Sequence, residues 1–190
     1  MENMGIAYNW RIIMIITELE IRGAFLIQRQ PFTDERGYFA RLYCEKEFQE
    51  AGIDIEIKQM NLCENKEAGT LRGLHFQEGE FAEDKVVSCT RGRIYDVCVD
   101  VRPDSDTYLK YCAYELSEDN GAMLYVPKGC AHGYVTLTDN CQLLYLMSQF
   151  YVPGYARGYR YDDPTFHIEW PIRSRLILSE KDKELPYINV

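Results

Sequence analysis

A basic cluster around one histidine is the part of the sequence best suited to chemistry. His75 lies between Leu74 and Phe76, which predicts a wall dry enough to tune the basicity of the imidazole. Arg72 lies three residues before it and Lys85 ten residues after it. A base beside fixed positive charge suits removal of a proton next to a carbonyl group, because the resulting enolate is an oxyanion that needs a counter-charge. The alternative is a core histidine whose hydrogen bonds are satisfied within the protein.

The elements that must position this cluster are strands. Residues 93–101 alternate, so that Tyr95 and Val97 share one face while Asp96 and Asp100 share the other. One short helix is predicted over 45–51, closed by Gly52. Many short strands punctuated by turns predict an antiparallel sandwich or barrel. Further strands are predicted over 37–43, 55–62, 85–89, 111–116, 123–126, 133–137 and 142–151.

Composition narrows the class of protein. The 190 residues suit a single domain, and we expect it to span 1–190. A formal net charge of −9 argues against nucleic-acid or anionic-membrane partners, and no apolar run is long enough to span a membrane. Seven cysteines are scattered without a CxxC pair, which favours reduced thiols and a cytoplasmic protein.

A second motif refines the fold and bears on metal binding. Residues 127–133, PKGCAHG, have the PxGxxH spacing of the second cupin motif, and metal-binding cupins add an HxH pair from the first motif. Here that pair is His75 and Gln77, while the third histidine, His167, lies in an irregular tail. Two histidines and an amide are a poor ligand set for a transition metal. The sequence therefore predicts an all-β, jelly-roll or cupin-like antiparallel β-sandwich with a few short helices and no metal.

Both motifs, their surroundings and their order resemble the dTDP-4-dehydrorhamnose 3,5-epimerase family. The resemblance runs from about residue 15 to residue 186 and leaves residues 1–14 outside it. Single residues that match are Lys85, Tyr145 and Tyr151. The matching segments are 32–39, 59–61, 71–77, 126–134, 162–164, 168–171 and 178–182.

The resemblance implies an enzyme without metal or cofactor that acts on a nucleotide-linked 4-keto-6-deoxyhexose. It assigns His75 as the base that removes the protons at C5 and C3, with Asp182 as its partner. Tyr145 matches the acid that returns a proton from the opposite face, and inversion does need a donor and an acceptor on opposite sides of the carbon. The resemblance also implies a homodimer that exchanges an N-terminal strand between subunits.

The family's substrate contacts map onto further residues of this chain. Lys85 is expected to stabilise the enolate, with Arg72 close to the sugar and phosphates, and Tyr151 is expected to stack on the nucleobase. Arg72 and His75 have an odd spacing that would turn them to opposite faces of a flat strand, so we expect a bend or bulge at Gly73. Other expected substrate contacts are Arg36, Gln59, Asn61, His132 and Lys181.

Three departures from the family pattern leave the substrate open. Arg41 reverses the charge of a usual glutamate, Ala156 replaces an acidic contact, and Leu146 stands where a lysine is usual. They leave dTDP, CDP and GDP sugars as candidates, and a single-centre epimerase as the alternative to inversion at both carbons. Two alternatives come from other functional classes. The first is a catalytically silent sugar-nucleotide-binding cupin, which would need neither the acid nor the base that this chain retains. The second is a metal-dependent oxygenase, and Gln77 in place of a histidine argues against it.

Overall fold

A computed structural model describes residues 13–189. Single 3₁₀ turns cover Gly79–Phe81 and Pro153–Tyr155. None of the helices in 13–189 is long and apolar enough to cross a membrane. In chain order the elements are β1 (Ile15–Glu18), β2 (Phe25–Gln28), β3 (Phe32–Asp34), β4 (Gly37–Phe39), α1 (Glu45–Glu50), β5 (Gln59–Asn65), β6 (Leu71–Gln77), β7 (Lys85–Arg91), β8 (Arg93–Asp100), β9 (Tyr111–Ser117), β10 (Ala122–Val126), β11 (Cys130–Thr136), β12 (Cys141–Met147), β13 (Ala156–Gly158) and α2 (Glu180–Lys183).

Two antiparallel sheets make up the body of the fold. The larger has the strand order β1-β2-β10-β7-β12-β5, and the smaller has the order β13-β6-β11-β8-β9. Strands β3 and β4 form a separate two-stranded ribbon. The predicted all-β, jelly-roll or cupin-like sandwich with few short helices is thus confirmed.

Three apolar clusters hold these layers together. The helix α1 covers the outer face of the larger sheet through Phe48, and the chain after β13 covers the outer face of the smaller sheet through Phe166 and Trp170. Burial of such large side chains is the main stabilising contribution to the fold. The cluster between the two sheets includes Val87, Cys89, Ile94, Cys98, Cys112, Leu116, Leu124, Val126, Tyr134 and Leu143.

Several strand boundaries differ from the sequence prediction. The strand predicted over 55–62 is β5, which begins at Gln59, because Ile53 and Ile55 instead pack beside Phe48 of α1. The strand predicted over 142–151 ends at Met147 in β12, and that predicted over 37–43 ends at Phe39 in β4. Strands β1, β2, β3 and β13 were not predicted, and β6 was considered a strand only for the spacing of Arg72 and His75. Apolar residues that pack under a helix or loop show the same alternation as a strand, which explains the overextended boundaries.

The turn after β8 is organised by one buried carboxylate. Asp100 accepts hydrogen bonds from the backbone N–H and the Nε of Arg102 at 3.0 and 2.8 Å, and from the hydroxyls of Ser105 and Thr107. Burial alone would raise the pKa of Asp100, but these donors outweigh it and lower the pKa to about 2.

Candidate active site

Side chains of the two sheets face each other across a cavity of about 250 Å³. His75 lies on β6 of the smaller sheet, and Tyr145 lies on β12 of the larger sheet. We call this cavity the inner lobe. Its lining residues are Asn61, Cys63, Arg72, His75, Lys85, His132, Tyr134, Tyr145 and Met147.

The chain after the strands supplies a partner for the histidine of the inner lobe. The Nε2 atom of His75 lies 2.6 Å from Oδ1 of Asp182, on α2 and 107 residues away. The Asp182 side chain is 5% exposed, whereas that of His75 is 40% exposed, so the aspartate is the drier partner. Burial would raise the pKa of Asp182, but the hydrogen bond and charge of His75 and the Ser179 hydroxyl lower it instead.

An ionised Asp182 fixes the tautomer of His75. A carboxylate can only accept hydrogen bonds, so Nε2 carries the proton and Nδ1 keeps its lone pair. Leu74 beside the histidine is fully buried. The dry wall expected around His75 therefore exists behind the ring, while the ring itself is partly open to the cavity.

The predicted irregularity at Gly73 is confirmed. In the β6–β11 pair His75 is paired with His132, and Arg72 is paired with Tyr134. The three-residue step from Arg72 to His75 on β6 therefore lies opposite a two-residue step on β11, and β6 contains one extra residue. Gly73 has φ of 124°, and a Cβ there would lie 2.6 Å from the Cα of Gly133. Only glycine fits this approach. The bulge turns Arg72 and His75 into the same cavity.

A second cavity of about 300 Å³, here the outer lobe, adjoins the inner lobe and shares Arg72, His75, Lys85 and Met147 with it. Tyr151 and Lys181 line the outer lobe, as does Asp182. The backbone N–H of Tyr151 donates to Oε1 of Gln59 at 2.7 Å, which places Gln59 just behind the wall. Tyr151 is 60% exposed.

Tyr145 has surroundings that keep its hydroxyl protonated. Burial, followed by the neighbouring Tyr134 and Asp96, raises the pKa of Tyr145 well above its usual value. Its ring packs edge-on against His132, with centroids 6.0 Å apart. Asn61 is its direct neighbour on β5. A protonated phenol facing a deprotonated imidazole nitrogen is the pairing that acid–base inversion requires.

A second histidine–carboxylate pair lies in the wall of the inner lobe. The Nε2 atom of His132 lies 2.8 Å from Oδ1 of Asp96, and both side chains are buried. Burial raises the pKa of Asp96, an effect that His132 and Lys85 oppose. The alternation of residues 93–101 had placed Asp96 on the face opposite Tyr95, but the sequence reasoning gave it no role. Asp96 is a charged residue inside a largely apolar strand, and this was the signal from which a functional or paired carboxylate could have been predicted.

The floor of the inner lobe contains further residues that sequence reasoning missed. The hydroxyl of Tyr134 donates to Asn65 Oδ1 at 3.1 Å and lies 3.4 Å from the thiol of Cys63. Arg72 donates to the same Asn65 oxygen at 2.9 Å. These contacts fix the guanidinium of Arg72, an expected substrate contact, at the edge of the cavity, and no sequence motif predicted the supporting role of Asn65.

Lys85 reaches both lobes from the first position of β7. Its Nζ donates to the backbone carbonyl of His75 at 3.0 Å and lies 3.1 Å from Oε1 of Glu83. The side chains of Lys85 and Glu83 are 7% and 4% exposed. The expected cation beside the histidine is therefore present, and it is paired with a carboxylate that sequence reasoning did not consider.

One expected substrate contact lies elsewhere. Arg36 lies in the β3–β4 ribbon, is paired with Asp34, and lines a separate cavity of about 610 Å³ that shares no lining residue with either lobe. Among the departures, Arg41 pairs with Glu47 of α1, and Leu146 is buried on the outer face of the larger sheet. Ala156 lines the outer lobe.

The amide that replaces the second cupin histidine has a structural role. Gln77 donates to the carbonyls of Phe81 and Phe150 at 3.0 and 3.1 Å, and accepts from the N–H of Val152 at 2.7 Å. Between residues 13 and 189 no group of three His, Cys, Asp or Glu side chains is arranged to hold a metal ion.

Known proteins share this sequence and geometry. The family model for dTDP-4-dehydrorhamnose 3,5-epimerase matches residues 18–189. The enzyme of that name from Sinorhizobium fredii is 43% identical over 173 residues, covering 91% of this chain and 89% of the relative. The crystal structure of the Bacillus anthracis dTDP-4-dehydrorhamnose 3,5-epimerase with TDP and PPi bound is 38% identical and covers 92% of this chain and 99% of its own, with a TM-score of 0.89.

A relative with a narrower activity is also similar. ChmJ, a 3'-monoepimerase from Streptomyces bikiniensis solved with dTDP-quinovose, is 30% identical, covers 89% of this chain and 85% of its own, and has a TM-score of 0.83. The family model, however, spans both sheets and the segment that carries Asp182. The chain therefore belongs to the dTDP-4-dehydrorhamnose 3,5-epimerase family.

Proposed function

We propose that this protein inverts C3 and C5 of dTDP-4-dehydro-6-deoxyglucose to give dTDP-4-dehydrorhamnose, by deprotonation and reprotonation beside the C4 ketone. One observation carries the proposal: His75, which is paired with Asp182 of α2, lies on one sheet, Tyr145 lies on the other, and both side chains line the inner lobe. An acid and a base on opposite walls can act on opposite faces of one carbon.

Each inversion moves one proton off the sugar and returns another. Nδ1 of His75 takes the proton from C5, and the electron pair of that C–H bond moves into an enolate whose charge lies on the C4 oxygen. Asp182 holds the imidazolium, while Lys85 and Arg72 oppose the enolate charge. Tyr145 then donates its proton to C5 from the other face. Solvent then takes the proton from the imidazolium of His75 and returns one to the Tyr145 phenolate, and the same cycle at C3 completes the reaction.

The remaining expected contacts serve the nucleotide and the sugar. Tyr151 stacks on the nucleobase at the mouth of the outer lobe, where Lys181 faces the diphosphate; Asn61 and His132 contact the sugar in the inner lobe. Gln59 supports the backbone of Tyr151. The outer lobe is lined by Arg72, Lys85, Arg157 and Lys181 against the carboxylates of Glu83 and Asp182, and this excess of positive charge supports a dianionic ligand.

Arg36 enters this scheme through a second copy of the chain. We propose a homodimer that exchanges an N-terminal strand, so that Arg36 contacts substrate in the partner's site rather than in its own. The exposed apolar side chains of Phe32, Tyr38 and Phe39 beside it in the ribbon support burial against another surface.

We also propose that the chain works as one domain in the cytoplasm without metal or cofactor. Two observations support this. Nε2 of both His75 and His132 is engaged by a carboxylate, and the seven cysteines are all free thiols.

Reaction in heavy water tests the function. The expected result is deuterium at both C5 and C3 of the recovered dTDP sugar, read position by position. The likeness to ChmJ favours one alternative, a 3-epimerase, which would place deuterium at C3 alone. No incorporation at either carbon, with dTDP still bound, would favour the catalytically silent binding protein, and preference for CDP or GDP sugars would correct the nucleotide.

A further inference from the structure

Glu83 is a buried charged residue to which the reaction scheme gives no part. Its side chain is 4% exposed, and it lies two residues before Lys85 at the edge of the outer lobe. One carboxylate oxygen, Oε1, lies 3.1 Å from the Lys85 ammonium. The other, Oε2, is buried and has no hydrogen-bond partner within residues 13–189. A buried carboxylate oxygen without a donor is destabilising and therefore calls for a reason.

The reason lies in what Lys85 must do. An ammonium group has three N–H donors on a flexible four-carbon stem. Within the described chain, the carbonyl of His75 accepts one of them at 3.0 Å, and Glu83 Oε1 forms an ion pair with the ammonium at 3.1 Å. These two fixed contacts define where the nitrogen lies relative to the catalytic histidine. An N–H is left for an acceptor in the cavities that Lys85 lines.

We infer that Glu83 is a positioning residue, which holds the Lys85 ammonium in place so that its remaining N–H meets the C4 oxygen of the substrate as the enolate forms. This inference rests on the proposed function. Glu83 touches neither the base nor the reacting carbons. It acts by fixing a donor that would otherwise sample several rotamers, and misplacement of such a donor by about 1 Å reduces a rate by up to about 10²-fold.

Three substitutions at position 83 test the inference. Glu83→Ala removes the anchor, and we expect kcat to fall on the order of 10- to 100-fold, while KM and the affinity for dTDP, measured by calorimetry, change by no more than about two-fold. Glu83→Gln keeps the size and one acceptor oxygen, so its kcat should lie between those of Glu83→Ala and the wild type. Glu83→Asp should recover part of the loss. Exposed Glu80, changed to Ala, is the matched control.

A double-mutant cycle separates positioning from a structural role. In a Lys85→Met background there is no ammonium to position, so Glu83→Ala should lower the residual deuterium exchange no further than about two-fold. An equal loss in both backgrounds would overturn the inference. So would wild-type kcat in the Glu83→Ala variant, or in Glu83→Gln if the alanine variant does not fold. An inactive wild-type protein would instead refute the proposed function, and this inference with it.

Discussion

Replacing Asp182 by asparagine should abolish most catalysis while leaving the fold in place. The carboxylate accepts from Nε2 of His75 at 2.6 Å, and the neighbouring Ser179 hydroxyl and Gly73 N–H also lower its pKa. Asparagine has the same shape but only one acceptor oxygen. With that oxygen turned toward Gly73 and Ser179, the amide NH₂ faces His75, donates to the lone pair of Nε2, and so leaves the ring proton on Nδ1. The nitrogen that serves as base is then blocked.

The magnitude of the Asp182→Asn effect has two sources. A hydrogen bond to a charged group contributes about 1.5–3 kcal/mol, and Asp182 makes this bond to the imidazolium in a nearly dry setting. At about 1.4 kcal/mol per tenfold change in rate, that loss alone corresponds to roughly 10- to 100-fold. The wrong tautomer adds to it, so we expect a total reduction in kcat on the order of 10²–10⁴-fold.

The assay is deuterium incorporation at C5 and C3 from heavy water, with dTDP affinity and thermal unfolding measured in parallel. Glu180→Gln is the matched control, because Glu180 lies on the same helix, is exposed and pairs with Lys183. The double variant His75→Asn, Asp182→Asn should be little worse than either single one, since the two residues act as a unit. Near-normal turnover of Asp182→Asn would refute the reasoning.

Four further outcomes are expected. Tyr145→Phe should block net inversion yet leave wash-out of deuterium from a labelled substrate carbon, because His75 still removes protons; loss of wash-out as well would contradict the division of roles. Tyr151→Ala should weaken binding of the preferred nucleotide among dTDP, CDP and GDP in calorimetry, and equal affinities before and after would end the stacking assignment. Activity should survive exhaustive dialysis against EDTA, and recovery by one defined divalent ion would contradict it. The pKa of Asp100 falls from 3.8 to about 2 on folding, so its carboxylate adds roughly 2 kcal/mol to the free energy of unfolding above about pH 4, and this contribution is lost as the pH drops toward 2. Asp100→Asn should therefore reduce the dependence of the unfolding free energy on pH in that range. Asp104→Asn, at an exposed position, should leave that dependence unchanged.

Local pattern was sufficient for most strands of the two large sheets and for one feature of the site. Alternation placed β8 to within a residue, and the odd spacing of Arg72 and His75 correctly predicted the bulge at Gly73. Both depend on neighbours along the chain, which a sequence displays directly.

Contacts between distant segments were accessible only through the family resemblance. Composition alone predicts that the charged residues 180–184 face solvent. Asp182 is nevertheless buried, because Trp170 and Phe166 pack the preceding chain against the smaller sheet. Two ion pairs were not predicted. The partner of Asp96 is His132 on a neighbouring strand, and the partner of Glu83 is Lys85 at the first residue of a strand. Neither carboxylate stands out in the alternation of the sequence. Arg36 remains a prediction for the assembled dimer.

The position of Asp182 in the chain has a consequence for biosynthesis. A ribosome delivers the chain from its N-terminus, so every strand of both sheets emerges before the carboxylate that orients His75. A nascent sandwich can therefore collapse around its core while its histidine still lacks an orienting partner. Without α2 both sheets and the lining of the inner lobe would still be present, but His75 would have no carboxylate to orient it. A short helix outside both sheets therefore decides whether the sandwich is an enzyme.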